Sequence, residues 1–388
     1  MAKKKTILFV APPDSVHTGR WVKQREDRKW DVHLFPSYEA GPHPLLNHVT
    51  MHGPIPNAPG FFHKAKNKCR HFMQKLFPAS GDETFGLAQS IRKLRPDMVH
   101  SLEMLRGGRL VSRAYDLLNG KTAPWIVTCW GNELYFFGRW PEHESTVKEI
   151  LRKCDYFLCD CQRDARLSRE YGFEKEVLPV QPVGGGYNWV KAQPLCTEPT
   201  PSKRTLIVLK GYQGVRGRAL FGIRALQLCA KTIIQKRYTV ALYSVHDEDV
   251  RNASQNLAQS AGIKVEIVPQ SSHEDMLRLH GRSRISIGLS LSDGLSNSFL
   301  EACLMGAFPI QSDTMGVPEW FHDGENGRLV PPEDPQKISI AIQKALTDDV
   351  WVDHAAQINA EAVKKHYDET LIRNNVLRMY ETILAERA

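Results

Sequence analysis

What most limits the folds open to this chain is an alternation of short apolar runs with helical stretches that runs through it twice. Lys5 to Val10 (KTILFV) reads as a buried strand. The turn APPDSVHTGRW leads into a helix carrying Trp21 and Val22, and Asp31 to Phe35 forms a second strand. A strand–helix–strand unit of about 30 residues has the length of a crossover between parallel strands. The pattern continues with a helix over Phe85–Leu94 and strands over Met98–Leu102, Trp125–Cys129 and Tyr156–Cys161. A helix closing at Glu149–Cys154, a helix over Arg163–Tyr171 and a last strand over Val177–Pro182 complete the first half. Ala192 to Lys203 (AQPLCTEPTPSK) holds three prolines among polar residues and reads as a linker. The alternation then restarts at Thr205–Leu209 and continues through strands Tyr238–Tyr243 and Val265–Val268. The spacing predicts an α/β protein of two Rossmann-like, doubly wound domains. Residues 1–190 form the first, 191–204 the linker and 205–368 the second. A terminal helix over 369–388 is expected to pack back toward the first domain, and the ligand site to lie in the cleft between the domains.

The bulk properties narrow the partners. At 388 residues the chain is too long for one ordinary core. Its net charge of +8 favours a polyanionic partner. No zinc-finger or RNA-recognition signature is present, so nucleic acid is not the expected one. The G-x-G-x-x-G dinucleotide fingerprint is missing from the first turn, and the eight cysteines show no paired zinc spacing. MAKKKTILFV lacks a long apolar segment with a cleavage site, and no run approaches a membrane span, so a reduced, cytoplasmic setting is expected. Over residues 61–76, Phe62, Ala65, Cys69, Phe72, Met73 and Leu76 mark one helical face. Lys64, Lys66, Lys68, Arg70 and Lys75 carry the rest, so this segment can lie on an anionic membrane surface or pack on its own domain.

The most informative stretch runs from Arg284 to Pro332. A buried strand over Ile285–Leu291 is broken by Asp293-Gly294, and Ser296 is placed to cap a short helix through Glu301 to Met305 that Gly306 stops. Two acids therefore flank a strand-to-helix turn whose helix N-terminus suits an anion. Carboxylates for hydroxyls and amides for phosphates, side by side, point to a sugar-nucleotide pocket. Lys210, Arg216 and Arg218 stand in a glycine-rich turn after another strand, an arrangement that suits phosphate. In the first half, His17, Thr18 and Gly19 occupy the first turn after a strand. Glu103, and then Trp130, Gly131, Asn132 and Glu133, follow the ends of two more strands, where open α/β sheets place ligands.

Taken together, Asp293…Glu301, EACLMGAFPIQSD, MGVPEW and DGENGRLVPPEDP resemble the GT-B glycosyltransferases, and among them the retaining enzymes of family 4. SVHTGRW and DYFLCDCQRD also look like the bacterial cell-surface-polysaccharide members. The resemblance implies transfer of a sugar, with retention, from a nucleoside-diphosphate sugar to a hydroxyl of a glycan or lipid-linked acceptor bound by the first domain. It implies that Glu301 holds the nucleotide ribose and that Asp293, where the family has Glu, holds hydroxyls of the donor sugar. Backbone amides of Gly294, Leu295, Ser296, Asn297 and Ser298 would take the diphosphate, with Lys210 and Arg216 as its two cations and Arg218 as a rival for either. Trp130 stands where many members carry His before glycine. No Asp-x-Asp with an apolar flank is visible, so neither metal nor cofactor is expected beside the donor substrate. A nucleotide-sugar epimerase and a non-catalytic sugar-nucleotide binder are the competing readings.

Overall fold

The computed structural model of the protein describes residues 4–24, 29–53, 81–198 and 200–386. The basic face expected over 61–76 lies outside these residues. The chain divides into two compact units, Met1–Gly185 with Ile372–Ala388, and Gly186–Leu371.

The first unit is built on β1 (Lys5–Ala11), β2 (Trp30–Pro36), β3 (Thr50–Met51), β4 (Met98–Leu102), β5 (Trp125–Thr128) and β6 (Tyr156–Leu158). They form one sheet in the order β3-β2-β1-β4-β5-β6, and its strand pairs are parallel. Ile7, Leu8, Phe9 and Val10 of β1 are all fully buried. A parallel strand covered on both faces needs such a continuous apolar run rather than an alternating one. Helix Glu369–Ala385 covers part of this sheet through Ile372, Val376, Tyr380 and Ile383, one stripe at helical spacing. The Tyr380 hydroxyl accepts from Trp21 Nε1 at 3.0 Å, so the polar end of a buried ring is satisfied.

The second unit repeats the plan with β7 (Leu206–Lys210), a two-stranded hairpin of β8 (Gln213–Gly214) and β9 (Gly217–Arg218), β10 (Thr239–Tyr243), β11 (Lys264–Ile267), β12 (Ser283–Gly288), β13 (Phe308–Ser312) and β14 (Arg328–Val330). The main sheet runs β11-β10-β7-β12-β13-β14. In both sheets the order reverses beside the first strand, between β1 and β4 and between β7 and β12. Doubly wound sheets take ligands at such a switch point, outside the carboxyl ends of the strands.

Two expectations need correction. Val177–Pro182 is not a regular strand: it runs beside β6 with a single bridge, Phe157 to Val177. Pro179 and Pro182 have no N–H to offer a ladder, and the bonds made are those of Leu178 N to Phe157 O and Gln181 N to Cys159 O. The proline-rich segment expected as the linker belongs to the second unit, and the units divide at Gly185–Gly186 instead. Leu195 and Pro201 are buried there, and Arg204 donates to the carbonyls of Ser283 (2.9 Å) and Met305 (3.0 Å). Its composition reads as loose chain, but its few apolar and cationic groups anchor it.

Candidate active site

In the second unit, β7 ends in Lys210 and β12 ends five residues before Asp293, so the switch point brings the two side chains together. Lys210 Nζ lies 3.9 Å from Asp293 Oδ2 and 4.9 Å from the centre of the Tyr212 ring. The expected strand Ile285–Leu291 is shorter at its far end. It stops at Gly288, and the following chain bonds sideways, with Ser290 N donating to Ser312 Oγ at 3.1 Å. The main chain of Asp293 pairs with Met315 and Gly316. These contacts fix the turn that carries the acid.

Helix Asn297–Leu304 follows with Ser296 at its N-cap. The serine holds the position without capping by its side chain. Its hydroxyl pairs with Ser298 Oγ at 2.9 Å instead. Gly294, Leu295, Ser296, Asn297 and Ser298 thus form the turn and first helical residues between the acids. One turn into the helix, Glu301 is buried, and its Oε1 pairs with His273 Nε2 at 2.9 Å. His273 opens helix His273–Arg282, whose N-cap Ser272 and Asp275 form a capping box. The histidine is therefore held by two local devices before it meets the acid.

The hairpin supplies the other cations. Arg218 N donates to Leu289 O and Leu291 N to Val215 O, both at 3.0 Å, so the hairpin lies along the chain leading to Asp293. Arg216 is exposed at its turn. Arg218 is committed elsewhere: its Nε pairs with Glu333 Oε1 at 2.8 Å. Of the two rivals, Arg216 is the exposed one and Arg218 the one held by an acid.

Beneath these groups sits His280, fully buried, with neither ring nitrogen hydrogen-bonded among the described residues and the Tyr243 ring edge-on at 5.9 Å. Burial is the main cause that pushes its imidazole down to about 4; His273 and Lys210 push the same way, and Glu301 opposes. Above about pH 6.5 the ring is neutral whether the chain is folded or not. As pH falls from there toward 4, the unfolded chain takes up a proton that the folded site refuses, so stability is lost across that window. Denaturant unfolding at pH 7, 5.5 and 4.5 is expected to show His280→Leu losing less stability than the wild type on acidification. Parallel losses would contradict a neutral His280.

In the first unit the structure separates the expected residues by role. The His17 and Trp130 rings come together at 5.6 Å. Thr18 and Gly19 are buried instead, and a Cβ on Gly19 would stand 2.9 Å from Leu45 Cβ, so glycine serves close packing there. Glu133 is turned inward: its carboxylate accepts from the backbone N–H of Trp130 and Asn132 at 3.0 Å and of Met104 at 3.3 Å. Glu103, at φ 82°, bonds the amides of Arg106 and Gly107. Burial raises both carboxyls, Glu103 to about 8. These two acids brace the β4 and β5 turns, and Trp130-Gly131-Asn132 is the loop so braced. Asp160, Cys161 and Asp164 have ligand atoms within 4.8 Å of one another, but Arg163 Nε already pairs with Asp164 at 2.9 Å and supplies the positive charge.

The two doubly wound units have the fold of the GT-B glycosyltransferases. Residues 6–161 match the family described as glycosyl transferase 4-like, and residues 223–365 the family described as glycosyl transferases group 1. By these two matches the chain belongs to the group 1, family 4-like glycosyl transferases. Similar solved structures include sucrose-phosphate synthase from Thermosynechococcus elongatus, with 18% identity, a TM-score of 0.71, and 99% of this chain and 100% of that one covered. The HepE protein of Anabaena in complex with UDP-glucose gives 13% identity and a TM-score of 0.71 over 98% and 99% of the two chains. A glycosyltransferase from Rickettsia africae gives 15% and 0.68, again over 98% and 99%. No curated protein matches the chain.

Proposed function

We propose that the protein transfers a sugar, with retention of anomeric configuration, from a nucleoside-diphosphate sugar to a hydroxyl of a glycan or lipid-linked acceptor in bacterial glycan synthesis. The observation that carries the reading is the convergence of Lys210, Asp293, Glu301 and the N-terminus of helix Asn297–Leu304 at the β7/β12 switch point. Glu301, steadied by His273, accepts from the ribose hydroxyls, and Asp293 accepts from the donor sugar. Lys210 and Arg216, with the amides of Gly294 to Ser298, meet the diphosphate. As the bond from the anomeric carbon to the diphosphate breaks, charge grows on the leaving oxygen. Fixed cations and amide dipoles aimed at that oxygen lower the barrier more than any other single device in such a site. The acceptor oxygen bonds to the anomeric carbon on the same face and passes its proton to the leaving phosphate. The protein's own cations do the neutralising, so no resident metal is required. No described helix is long and apolar enough to cross a membrane, and the working place proposed is the cytoplasm, at the inner membrane face where a lipid-linked acceptor is presented.

A uridine-diphosphate sugar is the first donor to try, because the Anabaena neighbour holds UDP-glucose. The test is a panel of nucleotide sugars with candidate acceptors, scored by nucleotide release and by the product's anomeric configuration. Acceptor-dependent release with retention is expected. Donor consumption without acceptor would favour an epimerase, and binding without release a non-catalytic binder. Within the same assay Glu301→Ala is expected to raise KM for the donor about tenfold, since a buried carboxylate's hydrogen bonds to ribose are lost.

A further inference from the structure

The first unit holds an open, solvent-connected cavity of about 190 Å³ that the site described above does not use. At about 30 Å³ per water it has room for roughly six waters, or for a phosphate with part of the group it is attached to. Its walls include Ser37, Glu83, Thr84, Arg106, Arg109 and Arg113. Ser37 directly follows β2 and Arg106 follows β4, so the cavity opens at the carboxyl end of the sheet, on both sides of β1. The arginines recur at i, i+3 and i+7, which sets them along one side of the segment Met104–Gly108 and helix Arg109–Leu117. Glu83 is the one acid among the described lining residues, which together carry a surplus of two positive charges. Neither Arg109 nor Arg113 makes a guanidinium hydrogen bond or ion pair with any described residue. Arg106 rests on the Tyr38 ring, 4.9 Å from its centre. Ser37 is 7% exposed and its hydroxyl has no partner among the described residues, although its own N–H is bonded to Ala11 O. Arg106 and Arg109 are exposed and Arg113 is half-buried, so their charge is open to an incoming oxyanion, and such a group would also give the Ser37 hydroxyl an acceptor.

We propose that this cavity binds a phosphate group carried by the acceptor, with Arg106, Arg109 and Arg113 as its cations and Ser37 as a neutral donor. The inference rests on reading the first unit as the acceptor side, and it narrows the acceptor to phosphate-bearing molecules. The same chemistry is offered by a sugar phosphate and by a lipid phosphate.

The test uses the full chain and three probes: inorganic phosphate, glucose 6-phosphate, and phosphatidylcholine vesicles containing phosphatidic acid. Saturable binding of at least one probe is expected. It should weaken at least tenfold when Arg109→Gln and Arg113→Gln are combined, and weaken measurably in Ser37→Ala, which changes a single hydroxyl and keeps the test open should the double variant unfold. Loss confined to glucose 6-phosphate identifies a soluble acceptor, and loss confined to vesicles a lipid one. Uridine diphosphate, bound through Lys210 and Glu301, is titrated in parallel and should bind wild type and variants alike. Failure of uridine diphosphate to bind would sink the donor site and leave the phosphate subsite standing. No saturable binding of any probe, or equal affinities in wild type and variants, would overturn the subsite.

Discussion

Lys210→Ala is expected to lower kcat for sugar transfer by at least about a hundredfold, roughly 3 kcal/mol of barrier, while leaving the fold intact. Lys210 is the last residue of β7, and its side chain is 16% exposed. Its ammonium is held from two sides, by Asp293 at 3.9 Å and by the Tyr212 ring. Both contacts are loose for a charged group: an ion pair at that distance is short of a hydrogen bond, and a ring face is a weak partner. The cation is therefore placed and only lightly committed, which suits a group that must meet charge developing on a leaving phosphate. Arg218, in a direct 2.8 Å bond to Glu333, has less to offer. Arg218→Ala should accordingly cost less in kcat than Lys210→Ala when the two are assayed side by side. Near-normal turnover in Lys210→Ala would remove the lysine from the reacting centre.

Gly217→Ala is expected to be equally damaging through sterics alone. A Cβ at Gly217 would stand 2.0 Å from Tyr212 O and 2.3 Å from Tyr212 C. Those are backbone atoms, so no rotamer change relieves the clash. Either the hairpin or the Tyr212 main chain must move, and the hairpin carries Arg216 while Tyr212 supports Lys210. A misplacement of about 1 Å is enough to cost about a hundredfold in rate. The main sheet does not pass through this hairpin, so unfolding should shift far less than activity. Gly214 in the same hairpin is the contrast: its added Cβ meets nothing within 4 Å, and only its φ of +94° is strained. Gly214→Ala should cost about 1–3 kcal/mol of local strain and keep most of the turnover. Equal activity in Gly217→Ala and wild type would show that the hairpin does not set the cations.

Much of this was legible in the chain because the signals were local. β1 and β7 are unbroken apolar runs, and Asp293 and Glu301 flank a turn that strand and helix signals bracket. What escaped reading depends on distance along the chain. The Arg218–Glu333 bond joins residues 115 apart, and nothing in either neighbourhood announces it. His273 holds Glu301 from 28 residues away, and nothing beside either residue announces the pair. Glu103 and Glu133 sat at strand ends where ligands are usual, yet the tight turns there left backbone amides in need of acceptors, and those took the carboxylates. The proline-rich segment misled for the opposite reason: composition marks chain that can be loose, but one buried arginine at Arg204 is enough to pin it. Arg106, Arg109 and Arg113 fall at helical spacing, yet no helix was read between the strands Met98–Leu102 and Trp125–Cys129, so the stripe was missed.

The central claim is that the second unit binds a nucleoside diphosphate through Lys210 and Glu301. Calorimetric titration of uridine diphosphate and the other nucleoside diphosphates into the full chain, with Lys210→Ala and Glu301→Ala alongside, tests it most directly. Saturable binding of one nucleotide to a single tight site, weakened at least tenfold in each variant, is the predicted result. Binding of none of them, or affinities that both substitutions leave unchanged, would contradict it.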